Sequence, residues 1–250
     1  VATRVDFHVK VLNDRVVRLA KARGIDVLVY APHFTRVTTI EARAKRYSDD
    51  DLLVVPAREI FTGTWRNRKH VLGIGLTEPI PDFISLSGAM DALERSAGAT
   101  LVPHPDFLTV SLDEDDLKRY DGIVDALEVY NPKHLSRHND VARQLVDEIG
   151  IPAFGSSYAH LERTVGEVWT EFDRTISSTE ELLDAIVSEA DRRVERRTGL
   201  GHRTRCALEK GHLGYENTWK KIDRLLLSGL EPTHPDHIAY DGAFDDVSVY

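Results

Sequence analysis

One cysteine, Cys206, is present in 250 residues, so no disulfide can form within the chain and a reducing cytoplasm is the expected setting. With no base near it in sequence, that thiol reads as buried or incidental. No apolar run approaches the roughly 18 to 20 residues that a membrane helix needs, and the first residues lack the apolar core of a signal peptide. No membrane partner is therefore expected. Positive charge is also scarce: 32 Lys and Arg face 41 Asp and Glu, a formal net charge of -9. That balance excludes a tight nonspecific hold on nucleic acid, because such affinity comes from cations neutralising phosphates. A small phosphorylated substrate, or a nucleic-acid end held through metal, is compatible with it. No strand is followed by a Gly-x-Gly-x-x-Gly turn, which argues against a dinucleotide-binding dehydrogenase. Internal repeats and low-complexity tracts are missing as well, and acidic clusters such as Ser48-Asp49-Asp50-Asp51 suit a high-salt interior.

What the chain does have is rhythm. Buried, strand-like runs are predicted at residues 4–10, 25–30, 52–57, 70–75, 100–102, 126–130, 152–154 and 168–172. Helical spacing is predicted at 14–23, 39–46, 86–96, 113–119 and 136–149, with Gly150 where a helix stop belongs. Alternation of this kind predicts a parallel, barrel-like α/β sheet over residues 1–175. Residues 176–250 are expected to form a helical extension packed on the barrel. A capping box at Ser178-Thr179-Glu180-Glu181 opens a helix over 178–193, a basic, Gly-punctuated stretch covers 196–210, and an amphipathic helix covers 215–227. The tail from Pro232 is acidic and expected to be loosely held. The Arg-rich stretch 192–205 reads as a solvated helix end or as a site for phosphate or a partner.

Chemistry-bearing residues fall at the ends of these strands: His8, His33, Glu59, His70, His104 and His160. They are far apart in sequence, yet a barrel gathers such ends at one rim. The connection between Glu59 and His70 is too short for a crossover helix and suits a hairpin around residues 63–67. Centred near Trp65, it would place Glu59 opposite Val71, one residue from His70. Imidazole and carboxylate together suit Zn, Mn or Fe. His134 and His138, four apart, read as a solvated helix start, and His202, His212, His234 and His237 have no telling spacing.

Read in order, these groups resemble the PHP family, named for polymerase and histidinol phosphatase. The family's first strand carries His-x-His followed by Asp; here stand His8, Lys10 in the second place, and Asp14. Its Thr-Asp-His appears as Ala31-Pro32-His33, its bridging glutamate as Glu59, and its His-x-Leu-Gly and His-Pro histidines as His70 and His104. Glu128 and Asn131 match a Glu-x-x-Asn that shapes the pocket, and the final Asp-Ala-His is written Tyr158-Ala159-His160.

The resemblance implies a distorted (β/α)7 PHP-type barrel with a helical, PHP-associated C-terminal extension. It implies a metal-dependent phosphoesterase acting on a phosphorylated small molecule, a nucleotide or a nucleic-acid end. Of the family's three metal positions, Glu59 with His70 and His104 is complete, and Asp14 with His33 and His160 forms another. The remaining position keeps only His8 and Glu59, because an ammonium cannot ligate. One or two divalent ions are thus expected. Lys10 would balance Glu59 and reach a substrate phosphate, His8 or His160 would protonate the leaving group, and Tyr158 would be a pocket wall. The alternative is a non-catalytic scaffold similar to the barrel subunit of archaeal ribonuclease P, in which the ligands have eroded.

Overall fold

The computed structural model describes residues 2–63, 68–105, 110–215, 232–237, 239–244 and 247. β1 (Thr3–Val9) is buried at every residue but Arg4, and Asn13 caps α1 (Asp14–Ala22) by accepting from the amides of Arg15 and Val16. The wholly buried β2 (Val27–Tyr30) leads to α2 (Val37–Tyr47), then to the long β3 (Leu53–Thr62) and β4 (Lys69–Ile74). The chain continues through α3 (Leu86–Ser96), β5 (Ala99–Val102), α4 (Glu114–Arg119), β6 (Ala126–Tyr130), α5 (Ser136–Ile149), β7 (Ala153–Gly155) and β8 (Val168–Phe172). It then forms α6 (Thr179–Val187), β9 (Arg192–Arg196) and α7 (Gly199–Tyr215).

The strands form one sheet in the order β7-β6-β5-β4-β3-β2-β1-β8-β9. The expected parallel pairing holds for β1 with β2, β2 with β3, β5 with β6, and β6 with β7. It fails at β4, which runs against β3 across a short connection and therefore against β5 as well, and at β8, which runs against β1 and β9. The turn expected at residues 63–67 falls mostly on residues 64–67, outside the described residues. The sheet curls into a nearly closed barrel. Thr170 of β8 takes a hydrogen bond from the Gly155 amide at 3.0 Å and returns one to its carbonyl at 3.1 Å. A Cβ at Gly155 would come within 2.3 Å of Val194, so only glycine lets β9 lie this close to β7.

Inward residues of the barrel, among them Val5, Phe7, Val29, Val55, Leu72, Leu101, Phe154 and Phe172, form one core with Leu182, Ala185 and Ile186 of α6. The rings of Phe154 and Phe172 lie 5.4 and 6.1 Å from Phe7. Helix α6 packs near Gly75 and Gly98, at the end of β4 and the start of β5, which leaves the opposite rim for the site.

The C-terminal segment departs from expectation in several ways. Glu189, with φ of 53°, follows the end of α6, so the helix stops well short of Arg193. Arg192-Arg193-Val194-Glu195-Arg196 then adds to the sheet as β9, a strand hidden by its charged composition. The Gly-punctuated basic stretch belongs to α7, tied to the barrel by the buried Glu167 carboxylate, which meets Arg205 at 2.6 Å, His202 at 2.8 Å and Arg23 at 3.1 Å. Cys206 is not without a base: its Sγ lies 3.4 Å from His202 Nε2, and burial pushes the thiol pKa up. The tail is not loose where described. Thr233 accepts from the Asp82 amide at 2.8 Å, Tyr240 is buried, and Phe244 and Val247 pack on the outer helices. The helix expected at 215–227 lies almost wholly outside the described residues. No helix among the described residues is long and apolar enough to cross a membrane.

Candidate metal centre

The rim opposite α6 collects side chains in the order the topology dictates. His8 ends β1, Lys10 follows it, His33 follows β2, and Glu59 sits in β3. Because β4 is antiparallel, its beginning rather than its end reaches this rim, and it brings His70. The register pairs Glu59 with Leu72 and Phe61 with His70, so Glu59 and His70 are diagonal neighbours on one face. That is one residue away from the expected Glu59–Val71 pairing. The observed register suits the site better, since residues two apart share a face.

Glu59 is the hub. Its Oε2 lies 2.5 Å from Lys10 Nζ, 2.8 Å from His33 Nε2 and 3.7 Å from His8 Nε2. Its Oε1 lies 3.2 Å from His70 Nδ1 and 3.4 Å from His104 Nε2. Glu59, His70 and His104 each offer a ligand atom within 4.8 Å of the others, and all three residues are buried. The ring nitrogens of His8 and His70 are buried and make no hydrogen bond. Each neutral imidazole keeps one N–H and one lone pair, and buried ring nitrogens left without a hydrogen-bond partner beside a carboxylate fit a cation better than a structural network, because an unmade buried hydrogen bond costs about 1–3 kcal/mol.

His104 is held for that purpose. Its backbone adopts φ of 39°, its amide donates to Glu128 at 2.8 Å, and its Nδ1 lies 3.1 Å from the Ser111 hydroxyl. The same hydroxyl donates to the His104 carbonyl, so it accepts from Nδ1–H and leaves the lone pair on Nε2, toward Glu59. Glu128 also accepts from Asn131 at 3.0 Å and from Ser156, which accounts for the Glu-x-x-Asn spacing.

Electrostatics follow from burial and two ammonium groups. Burial, and after it the charge of Lys10, pushes the His8 pKa well below its ordinary value; burial lowers His70 to about 4. Burial by itself would raise Glu59, but Lys10 and the surrounding imidazoles outweigh it and hold the carboxyl well below the usual range. The second ammonium is Lys133, buried, with Nζ 2.5 Å from His160 Nδ1, 3.4 Å from Glu209 Oε2 and 4.0 Å from the centroid of the Tyr158 ring. Burial, then Lys133, drives the His160 pKa well below the usual value. Both His8 and His160 are thereby neutral at physiological pH, which does not suit them to give a leaving group its proton.

Among the expected residues, the structure thus brings His8, Lys10, His33, Glu59, His70 and His104 together, with His160 beside His33 at a ring distance of 5.2 Å. It does not bring Asp14, which is exposed in the first turn of α1 while Asn13 performs the capping. Tyr158 is a wall, its ring 4.5 Å from His8 and 4.7 Å from His160. His134 is not solvated: it is buried 6.2 Å from the His104 ring, and burial lowers its pKa to about 2. Sequence reading missed Lys133, Ser111 and Glu209. Only Lys133 had a signal, its place two residues after Asn131; Glu209 arrives from α7, whose carboxylate also accepts from the amides of His160 at 2.9 Å and Leu161 at 2.8 Å.

Residues 136–190 match the family model described as PHP-associated. A comparison with curated proteins by sequence finds no match. Among solved structures, the chain resembles PsfC from Pseudomonas syringae, with a TM-score of 0.62 at 18% identity over 87% of this chain and 99% of that one. It resembles a protein described as a candidate metal-dependent phosphoesterase from Bifidobacterium adolescentis, with a TM-score of 0.51 at 14% identity over 63% of this chain and 88% of that one. It also resembles a lesion-specific endonuclease from Pyrococcus furiosus, with a TM-score of 0.51 at 15% identity over 78% of this chain and 58% of that longer one. At such identities the likeness is one of fold.

Proposed function

We propose that this chain, a member of the PHP family by its barrel and its PHP-associated segment, is a metal-dependent phosphoesterase with a reduced metal site. The observation that carries the reading is the buried Glu59 carboxylate ringed by His33, His70, His104 and His8 at 2.8 to 3.7 Å. Glu59, His70 and His104 would hold one divalent ion (Zn, Mn or Fe), and His33 with His160 could contribute to a second. A bound ion supplies Lewis-acid polarisation of a phosphoryl oxygen.

The chain's own residues do the rest. Lys10 keeps Glu59 ionised and fixed, and its positive charge adds to the field on a phosphoryl group at the rim. Ser111 and Glu128 fix the ring and backbone of His104. Lys133 neutralises Glu209 and adds a second positive charge next to His160, while Tyr158 walls the rim against water. The substrate class is a phosphate ester, either a phosphorylated small molecule or a nucleic-acid end, met in the cytoplasm.

One observation favours a second reading, the non-catalytic scaffold: Lys10 and Tyr158 stand where the family resemblance expects metal ligands. Elemental analysis of protein purified without chelator, with an aryl-phosphate assay on wild type and His104→Ala, separates the two. An enzyme carries about one ion or more per chain and loses ion and turnover together in the variant. A wild type with neither metal nor turnover would be the scaffold.

A further inference from the structure

Beside the metal centre lies a groove of about 590 Å³ whose wall includes His134, the residue packed against His104. In a chain of net charge -9 this groove is locally basic. Arg143, Arg196, Arg203 and Lys210 line it with exposed side chains, and Asp140 is its single acid, paired with Arg143 at 2.7 Å. Arg203 and Lys210 have no carboxylate partner among the described residues. Arg196 donates to the Tyr130 hydroxyl at 2.7 Å and lies 4.6 Å from that ring's centroid, a flat cationic platform. A second source of positive potential enters the same groove: α5 starts there at Ser136, and its N-cap, Leu135, provides no side-chain hydrogen bond for the first-turn amides.

We propose that this groove is an anion site for a ligand carrying two or more phosphates, a nucleotide polyphosphate or a short single strand, held next to the metal centre. A simple monoester needs only the cluster around Glu59, and Arg203 and Lys210, which have no carboxylate partner among the described residues, would be left without use. Repelling charges are kept together on a surface when a ligand repays them. That the ligand is also the substrate rests on the phosphoesterase reading; that it binds does not.

The test is binding to the full-length chain stripped of metal with chelator, which separates this inference from hydrolysis. The probes are inorganic tripolyphosphate by calorimetry and a fluorescein-labelled, 5′-phosphorylated oligothymidylate by anisotropy, each over a range of salt. The variants are Arg203→Ala with Lys210→Ala, and the charge-keeping Arg203→Lys with Lys210→Arg. At least one probe should bind wild type, weaken about tenfold in the alanine pair, and recover in the charge-keeping pair. In the oligonucleotide arm, the slope of log affinity against log salt should fall by about 1.4, roughly 0.7 for each lost phosphate contact. Preference for tripolyphosphate assigns the groove to free nucleotides, and preference for the oligonucleotide assigns it to strands. The inference is overturned if neither probe binds wild type, or if the alanine pair binds as tightly. Binding retained by a chain that never takes up metal would refute the phosphoesterase reading while leaving the anion site standing.

Discussion

Replacing Lys10 by methionine removes a charge while keeping the length of the side chain. In the wild type its Nζ is 2.5 Å from Glu59 Oε2 and 2.5 Å from the Ala31 carbonyl, with exposures of 5% for Lys10 and 0% for Glu59. Breaking a buried pair by deleting one partner costs about 3–5 kcal/mol, because the surviving charge is left uncompensated. In a chain of this size each kcal/mol moves the melting temperature by about 2–4 °C, so Lys10→Met should melt about 6–20 °C lower in chelator. A divalent ion on Glu59 supplies the missing charge, so manganese or zinc should restore most of the loss. At 100 times its dissociation constant an ion stabilises by about 2.7 kcal/mol, and the variant should gain more from it than the wild type. Differential scanning calorimetry of both proteins, with chelator and with metal, reads all four states. Equal melting in chelator, or equal gains from metal, would refute the argument that the ammonium stands in for a cation at Glu59.

Further outcomes follow from other parts of the molecule. His70, lowered to about 4 when folded, takes up its proton in the unfolded chain at about 6.5. Between these values the unfolded state binds more protons, so stability rises with pH across the window and falls on acidification by about 3 kcal/mol. Denaturant titrations of metal-free protein from pH 7 to pH 4 should show that loss, and His70→Gln should flatten the slope by about one proton; an unchanged slope would contradict the burial argument. The Asp82 carboxylate joins the buried Arg58 guanidinium at 2.5 Å and accepts from the Phe61 amide at 2.8 Å. Asp82→Ala should therefore cost about 3–5 kcal/mol by chemical denaturation, and a cost under 1 kcal/mol would show the pair to be dispensable. Gly155→Val should destabilise by at least about 1–3 kcal/mol, since its side chain would overlap Val194 across the closing strands. A Val194→Ala change should recover part of that loss in the double variant, whereas simple additivity would place the strain elsewhere.

Much of the fold was legible because strand ends, turns and helix caps are local. The runs over β1 to β8 are buried stretches bounded by turn residues, and Ser136–Ile149 and Leu86–Ser96 were expected at the residues where they occur. The meeting of Glu59, His70 and His104 was legible for a related reason: His70 begins β4, His104 follows β5 and Glu59 lies in the last half of β3, and topology brings these places to one rim. What escaped depended on tertiary partners. Asn13 and Asp14 both stand where a helix begins, and only backbone geometry shows that Asn13 is the cap while Asp14 is the first helical residue. β9 exists because β8 offers an edge to Arg192–Arg196; its own alternation is obscured by four charged residues out of five. Lys133 and His134 looked like the polar start of a helix, and they are buried because α7 and the β7 loop close over them.

An ammonium at the end of a side chain has a property no dissolved ion shares: it is synthesised with the polypeptide and can be neither scavenged by a chelator nor exchanged for a competitor. At Glu59 Oε2 and beside His160 the positive charge is of this inherited kind. Starvation for transition metals would therefore leave these two places fully charged, and would tell only on whatever Glu59, His70 and His104 hold between them.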